Sequence, residues 1–382
     1  MNIIFTCGGT GGHINPAIAV ANEMRERHPD CNILFIGAKG HMEENLVPKA
    51  GYELKCLEIS GMSRGKNFAA VKKNVKNISD TLKAVSESKK IIKEFQPDVI
   101  LGTGGYACFP ALMAGTMMGI PTCVHEANAI PGLTTKLVAG RVDKVMVAFA
   151  ESAAHYRNAQ GVETVGMPIR KEFVFLDKKT ARAELGIGDE PLVVSAFGSL
   201  GARKMNEAVT DVFRMEKDNG YPFRHIHATG SFGWEWMPEK VAATGVDLKE
   251  TDRIDMREYI YNMPTVMAAA DVIISRAGSS SCNEIAASGT PAILIPSPNV
   301  AANHQEMNAR VLADRGGAVL LLEKDCTAET LYDQITALLA DKSKMDSMST
   351  ALRSWVVVDS AERICEIMEQ LMKSKASRNA DR

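Results

Sequence analysis

The segment Asn2-Ile3-Ile4-Phe5-Thr6-Cys7-Gly8-Gly9-Thr10-Gly11-Gly12-His13-Ile14-Asn15-Pro16 decides how the rest of the chain is read. An apolar run suited to a buried strand enters a glycine-rich turn, and a proline suited to an early helical turn follows. This is the opening of a βα unit. Glycine permits positive φ, so several N–H groups and a helix N-terminus can gather round a phosphate; a purely structural tight turn uses the same residues. Two phosphate motifs fail on spacing. Counted from Gly9, a G-x-G-x-x-G pattern needs glycine where Ile14 stands, and the second strand ends Gly37-Ala38-Lys39 without a ribose-binding acid. A Walker turn would have to end in Gly-Lys-Ser or Gly-Lys-Thr, and this one does not.

Working outward, the spacing predicts a helix over 16–27 and strands over 33–36, 99–101, 122–124 and 145–147. A charged stretch over 170–190 interrupts the rhythm, which restarts with strands over 192–194, 225–228, 272–274, 292–295 and 319–322. The pattern predicts an α/β chain of two doubly wound parallel-sheet domains hinged near residue 168. Ligands of such sheets sit beyond the carboxyl ends of the strands. Three further turns stand there: Gly102-Thr103-Gly104-Gly105-Tyr106, Phe197-Gly198-Ser199-Leu200-Gly201-Ala202 and Ser275-Arg276-Ala277-Gly278-Ser279-Ser280-Ser281. Their spread over both halves suggests phosphate-binding backbone in each. Glu284, about one turn into the helix after the last of them, suits a ribose diol or simply the positive end of the helix dipole.

A chain of 382 residues, 46% hydrophobic and 24% charged, buries about two cores and is neither disordered nor fibrous. With 44 basic against 46 acidic residues, its formal charge of −2 gives no general drive toward nucleic acid. The eight cysteines never fall at C-x-x-C spacing, which argues against a zinc site or a secreted disulfide framework and for a reducing cytosol. No signal-peptide pattern opens the sequence. The uncharged stretch 99–124 is too interrupted by glycine and proline for a lipid-facing helix and reads as buried strand, loop and helix.

His13, closing the first glycine turn, is the histidine best placed to move a proton, or it caps the helix. Glu126, after His125 at a strand end, suits ligand orientation or local pairing. His225 and His227 read as core, since no cysteine or carboxylate stands at ligand spacing. No D-x-D pair offers a metal clamp for a nucleotide diphosphate. Phe68, Val71, Val75, Ile78, Leu82 and Val85 mark one apolar helix stripe among Lys72, Lys73, Lys76, Lys83, Lys89, Lys90 and Lys93. That helix either packs on a core or meets an anionic lipid surface.

Taken in order, the blocks Gly8 to His13, Gly104-Gly105-Tyr106, His125-Glu126-Ala127-Asn128, Gly198 to Ala202, and Ser275 to Gly278 with Glu284 resemble the MurG family of glycosyltransferase family 28. The resemblance implies a GT-B fold: two Rossmann-like domains facing a cleft, with a last helix crossing back to the first domain. The implied division is 1–168 for the acceptor and membrane, 169–355 for UDP-GlcNAc, a returning helix over 356–373 and a polar tail over 374–382. The implied reaction transfers GlcNAc with inversion from UDP-GlcNAc to the C4 hydroxyl of undecaprenyl-diphospho-MurNAc-pentapeptide (lipid I), forming lipid II. It would proceed at the cytoplasmic membrane face without metal or cofactor, on an anionic membrane surface, beside other cell-wall enzymes and with no nucleic acid.

By the same resemblance, Glu284 would bind the uridine ribose and Ile260 with its neighbouring backbone the uracil. Ser199, Ser279, Ser280 and Ser281 would take the donor phosphates, with Arg170 anchoring the nucleotide. Asn128, His304 and Gln305 would contact GlcNAc. Gly9, Thr10, Gly11, Gly12, Gly104 and Gly105 would hold the acceptor diphosphate. His13 is the candidate base, with Tyr106 and Glu126 nearby. The sequence departs from the family at Phe197, expected to narrow its loop, at Met167, expected to remove an interdomain hydrogen bond, and at His304, a sugar-contact position. A related GT-B glycolipid synthase and a UDP-GlcNAc 2-epimerase are the alternative activities.

Overall fold

The structure, a computed structural model, describes residues 1–59, 68–156 and 161–380; the side chains of 68–78, 376 and 378–380 lie outside the description. The chain forms two units, Met1–Ile169 with Asp359–Arg382, and Arg170–Val358.

The first unit contains β1 (Asn2–Thr6), β2 (Asn32–Ala38), β3 (Glu53–Leu57), β4 (Val99–Gly102), β5 (Thr122–Glu126), β6 (Lys144–Val147) and β7 (Val162–Thr164). They form a parallel sheet ordered β3-β2-β1-β4-β5-β6-β7. The second contains β8 (Leu192–Ala196), β9 (Arg224–Ala228), β10 (Ile254–Arg257), β11 (Val272–Ser275), β12 (Ala292–Leu294) and β13 (Ala318–Leu320), ordered β10-β9-β8-β11-β12-β13. In both sheets the order reverses beside the first strand, between β1 and β4 and between β8 and β11. The crevice at such a reversal, outside the carboxyl ends, is where doubly wound sheets bind ligands. The turns that open there are those beginning at Cys7, Thr103, Phe197 and Arg276.

Both faces of the first sheet are buried, which is why β1 reads as an unbroken apolar run. Ile3 and Phe5 pack with Val20 and Met24 of the helix Gly11–Arg27, while Ile4 packs with Ala111 and Leu112 of the helix Cys108–Met117. That first helix starts at Gly11, ahead of the predicted residue 16. Pro16 sits in its second turn, where the bond to the Gly12 carbonyl is forfeited. The helix Ser360–Ala380 seats Ile364, Cys365, Ile367 and Met368 on the same face as Val20. It begins later than the expected 356 and continues past 373 through most of the expected tail.

Candidate active site

In the first unit the two glycine turns close on each other. Gly9, Gly104 and Gly105 have φ of +88°, +106° and +83°. A Cβ on Gly105 would lie 2.2 Å from the Gly8 carbonyl oxygen, and one on Gly104 would lie 2.5 Å from His13 Nδ1. Only glycine gives both the backbone angle and the clearance. His13 stands in the first turn of its helix, with Nδ1 3.1 Å from the Thr103 carbonyl, and Thr103 Oγ1 donates to the His13 carbonyl at 2.7 Å. An Nδ1–H donating to that carbonyl makes Nε2 the proton-accepting nitrogen. Thr10, Gly11 and Gly12 form the helix start, where N–H groups lack intrahelical partners.

Two residues not singled out in the sequence frame this turn. Glu43 is fully buried; Ala38 N–H donates to its Oε1 at 2.8 Å and Gly9 N–H to its Oε2 at 3.1 Å. The family resemblance gives the Gly9 amide to the acceptor diphosphate, but in this structure it is bonded to Glu43. His41 Nε2 lies 2.6 Å from the Tyr106 hydroxyl. Burial, and then the Glu43 charge, push the Tyr106 phenol above its ordinary pKa.

Glu126, 4% exposed, ends β5. Its Oε1 accepts from the Asn128 backbone N–H at 3.0 Å and side-chain amide at 3.2 Å, and its Oε2 from Gly132 N–H at 2.9 Å. Gly132 precedes the helix Leu133–Val138, so this carboxylate shapes the loop and holds Asn128. His125 is fully buried, with Nε2 2.8 Å from the Gly166 carbonyl. Burial lowers its pKa, and His13 contributes in the same direction.

In the second unit the turn after β8 is pressed against the turn after β9. Gly201 has φ +80°, and a Cβ there would lie 2.0 Å from the Thr229 carbonyl oxygen. Asn206 Nδ2 donates to that same oxygen at 2.7 Å. Ser199 is exposed on this turn. Phe197 does not narrow it: its ring is 3% exposed and packs in the core, 6.1 Å from the His227 ring. Strand alternation turns this residue inward, away from the loop.

After β11, Gly278 caps the helix Ser279–Ser288 in an extended conformation, and Ser279, Ser280 and Ser281 form its first turn. Glu284 is half-buried two positions beyond Cys282. Burial pushes its carboxyl up to about 7, against a downward pull from Arg170. Arg170 itself is exposed, its guanidinium 5.0 Å from the Phe173 ring centre. Arg276, another residue outside the sequence assignment, donates to the Ile295 carbonyl at 3.1 Å and to Glu323 Oε2, pinning the approach to the helix.

Ile260 is 2% exposed between β10 and the helix Met263–Ala269, so its side chain serves the core. Ala302 and Asn303 have φ of +51° and +52° immediately before His304 and Gln305. Two left-handed non-glycine residues in succession are strained, a feature that concentrates at functional sites. Gln305 Oε1 accepts from Ser297 N–H at 2.9 Å, and His304 Nδ1 lies 2.8 Å from the Ala301 carbonyl.

His225 and His227 lie within the second core, as their spacing suggests. Ser195 Oγ is 2.7 Å from His225 Nε2 and 2.7 Å from His227 Nδ1, and all three residues are fully buried.

The glycosyltransferase family 28 N-terminal domain matches residues 3–147 and the C-terminal domain residues 192–368. A UDP-N-acetylglucosamine–N-acetylmuramyl-(pentapeptide) pyrophosphoryl-undecaprenol N-acetylglucosamine transferase of Acetivibrio thermocellus is 39% identical over 99% of this chain and 100% of its own length. One of the same name from a Thermoanaerobacter species is 41% identical over 97% of this chain and 100% of its own. The crystal structure of Acinetobacter baumannii MurG superposes with a TM-score of 0.78 at 25% identity, covering 97% of this chain and 99% of that one. Glycine turns at both sheet reversals, the two matching domain models and near-full-length relatives agree, and the chain belongs to glycosyltransferase family 28 and, within it, to the MurG family.

Proposed function

We propose that the chain is an inverting N-acetylglucosaminyltransferase that moves GlcNAc from UDP-GlcNAc to the C4 hydroxyl of undecaprenyl-diphospho-MurNAc-pentapeptide, yielding lipid II and UDP. The observation that carries this reading is Glu284, a half-buried carboxyl in the helix that opens with Ser279, Ser280 and Ser281 and within the field of Arg170. A carboxylate for a ribose diol and helix-start amides for a diphosphate are what a nucleoside diphosphate requires.

The reaction breaks the bond between the GlcNAc anomeric carbon and the β-phosphate oxygen and forms one to the acceptor O4. The hydroxyl proton goes to His13 Nε2, and the bonding pair leaves on UDP. Helix-start amides, Ser199 and Arg170 meet the charge that develops on the diphosphate, so the proposed step needs no metal. Thr10, Gly11, Gly12, Gly104 and Gly105 surround the acceptor diphosphate. Tyr106 lines the same turn, and Glu126 acts by holding Asn128. Asn128, His304 and Gln305 contact GlcNAc, and Ile260 offers its backbone to the uracil.

The acceptor is a lipid, and among the described residues no helix is long and apolar enough to cross a membrane. We place the enzyme peripherally on the cytoplasmic face of an anionic membrane. Support comes from Leu82, Met117, Leu133 and Leu137, which are 68%, 61%, 60% and 54% exposed on or at the ends of three neighbouring helices of the first unit. Of the apolar stripe, Val85 is partly buried against the core, while the side chains of Phe68, Val71, Val75 and Ile78, with Lys72, Lys73 and Lys76, lie outside the described residues.

Incubation with labelled UDP-GlcNAc and a short-chain lipid I analogue, with EDTA present, should give a labelled disaccharide lipid. Conversion of the UDP-sugar without acceptor would point to an epimerase, and transfer to diacylglycerol to a glycolipid synthase.

A further inference from the structure

Glu43 opens a short helix, Glu43–Lys49, and its neighbour Glu44 is exposed. Glu43 is instead fully buried between the ends of β1 and β2. The slot that admits it is made by missing side chains: a Cβ on Gly8 would come 2.9 Å from its Oε1, and one on Gly37 would come 2.7 Å from its Cγ. Each oxygen accepts one backbone N–H, Ala38 at 2.8 Å and Gly9 at 3.1 Å. Gly9 needs this restraint, because its positive φ sends the chain out of β1 and into the helix carrying His13. The same segment sends His41 to the Tyr106 hydroxyl.

We propose that Glu43 is a positioning residue of the acceptor half-site, fixing the first glycine turn so that the amides of Thr10 to Gly12 and the His13 ring face the acceptor. This rests on the reading of that turn as the acceptor site. The carboxylate takes the Gly9 amide and leaves the helix-start amides for an anion. A carboxamide cannot replace it: with one oxygen acceptor and one NH2 donor, it satisfies one amide and opposes the other.

The experiment compares wild type with Glu43→Gln at saturating UDP-GlcNAc and varied lipid I analogue. The acceptor KM should rise about tenfold or more with a fall in kcat, the scale for losing a hydrogen bond to a charged group. UDP binding by calorimetry should stay within about twofold of wild type, because the donor turns belong to the other unit. A variant with lowered thermal stability but wild-type acceptor KM and kcat overturns the proposal, since a merely structural role predicts that result. If Glu43→Gln does not fold, Glu43→Asp, which keeps the charge but withdraws it by one methylene, carries the same expectation at smaller size. Wild type that transfers to no lipid I analogue overturns the acceptor reading and this proposal with it; an active wild type and an unaffected variant overturn the proposal alone.

Discussion

Glu216 Oε1 lies 2.6 Å from Nδ1 of His225, and neither side chain is exposed to solvent. The pair continues through Ser195 to His227, so the helix Arg203–Asp218 is joined to β8 and β9 through a polar chain inside an apolar core. A partly dismantled buried network costs more than a missing one, because the survivors are left without partners.

Glu216→Leu should therefore cost about 2–4 kcal/mol of stability, and Glu216→Gln, which still offers His225 an acceptor, distinctly less. Urea unfolding of the two variants checks this; a leucine variant as stable as wild type would mean that the bond holds nothing. His227 adds a pH dependence. Burial, reinforced by His225, holds its pKa well below 6.5, so the unfolded chain binds the extra proton more readily. This contribution to stability is intact above about pH 6.5 and is lost as the pH falls below it.

Glu284 has the opposite sign. Its carboxyl is pushed from 4.5 up to about 7, so the folded chain holds a proton that the unfolded chain releases, and stability falls as pH rises between those values. A ribose diol needs the ionised form to accept both hydroxyl hydrogens. UDP affinity should then fall by up to about tenfold per pH unit below 7, and binding at pH 7 should release about half a proton. Calorimetry in buffers of different ionisation heat measures that proton. Glu284→Ala should weaken UDP by about 1.5–3 kcal/mol and remove the proton release; unchanged affinity would take Glu284 out of the site.

His13→Ala should lower kcat by about 10² to 10⁴ and leave UDP binding near wild type. Glu126→Gln, with the Asn128 and Gly132 amides now facing a single oxygen acceptor, should disturb the loop and leave proton removal in place. If His13→Ala keeps near-normal turnover, the proton goes elsewhere, and Glu126 becomes the first candidate.

Partitioning onto anionic vesicles should fall as salt rises, since each lysine near such a surface contributes about 1 kcal/mol within a Debye length. Lys72/Lys73/Lys76→Gln should lower it, and Leu133/Leu137→Ser should lower it further. Equal binding by all three proteins would exclude these residues from a membrane contact.

The central strands were legible because burial on both faces demands continuous apolar runs, as in Ile3-Ile4-Phe5 and Val272-Ile273-Ile274. The edges were not. β3 and β7 expose Glu53 and Glu163, and β10 carries Asp255 and Arg257 only partly buried, so none of these strands resembles a core strand. The glycine turns were legible as turns, but their partners were not. Gly9 meets a glutamate 34 residues away, and Arg276 meets one 47 residues away; no local pattern distinguishes either acid from its exposed neighbours.

The first unit is discontinuous in sequence, and this bears on its synthesis. Ile364, Cys365, Ile367 and Met368 cover the face formed by Val20 and Met24, yet a ribosome makes them after the whole of Arg170–Val358. The second unit is contiguous and can close as soon as it emerges, whereas the nascent first unit waits with one apolar face bare. Premature release anywhere between residues 170 and 358 would leave that face exposed, a sticky intermediate of the kind that chaperones bind.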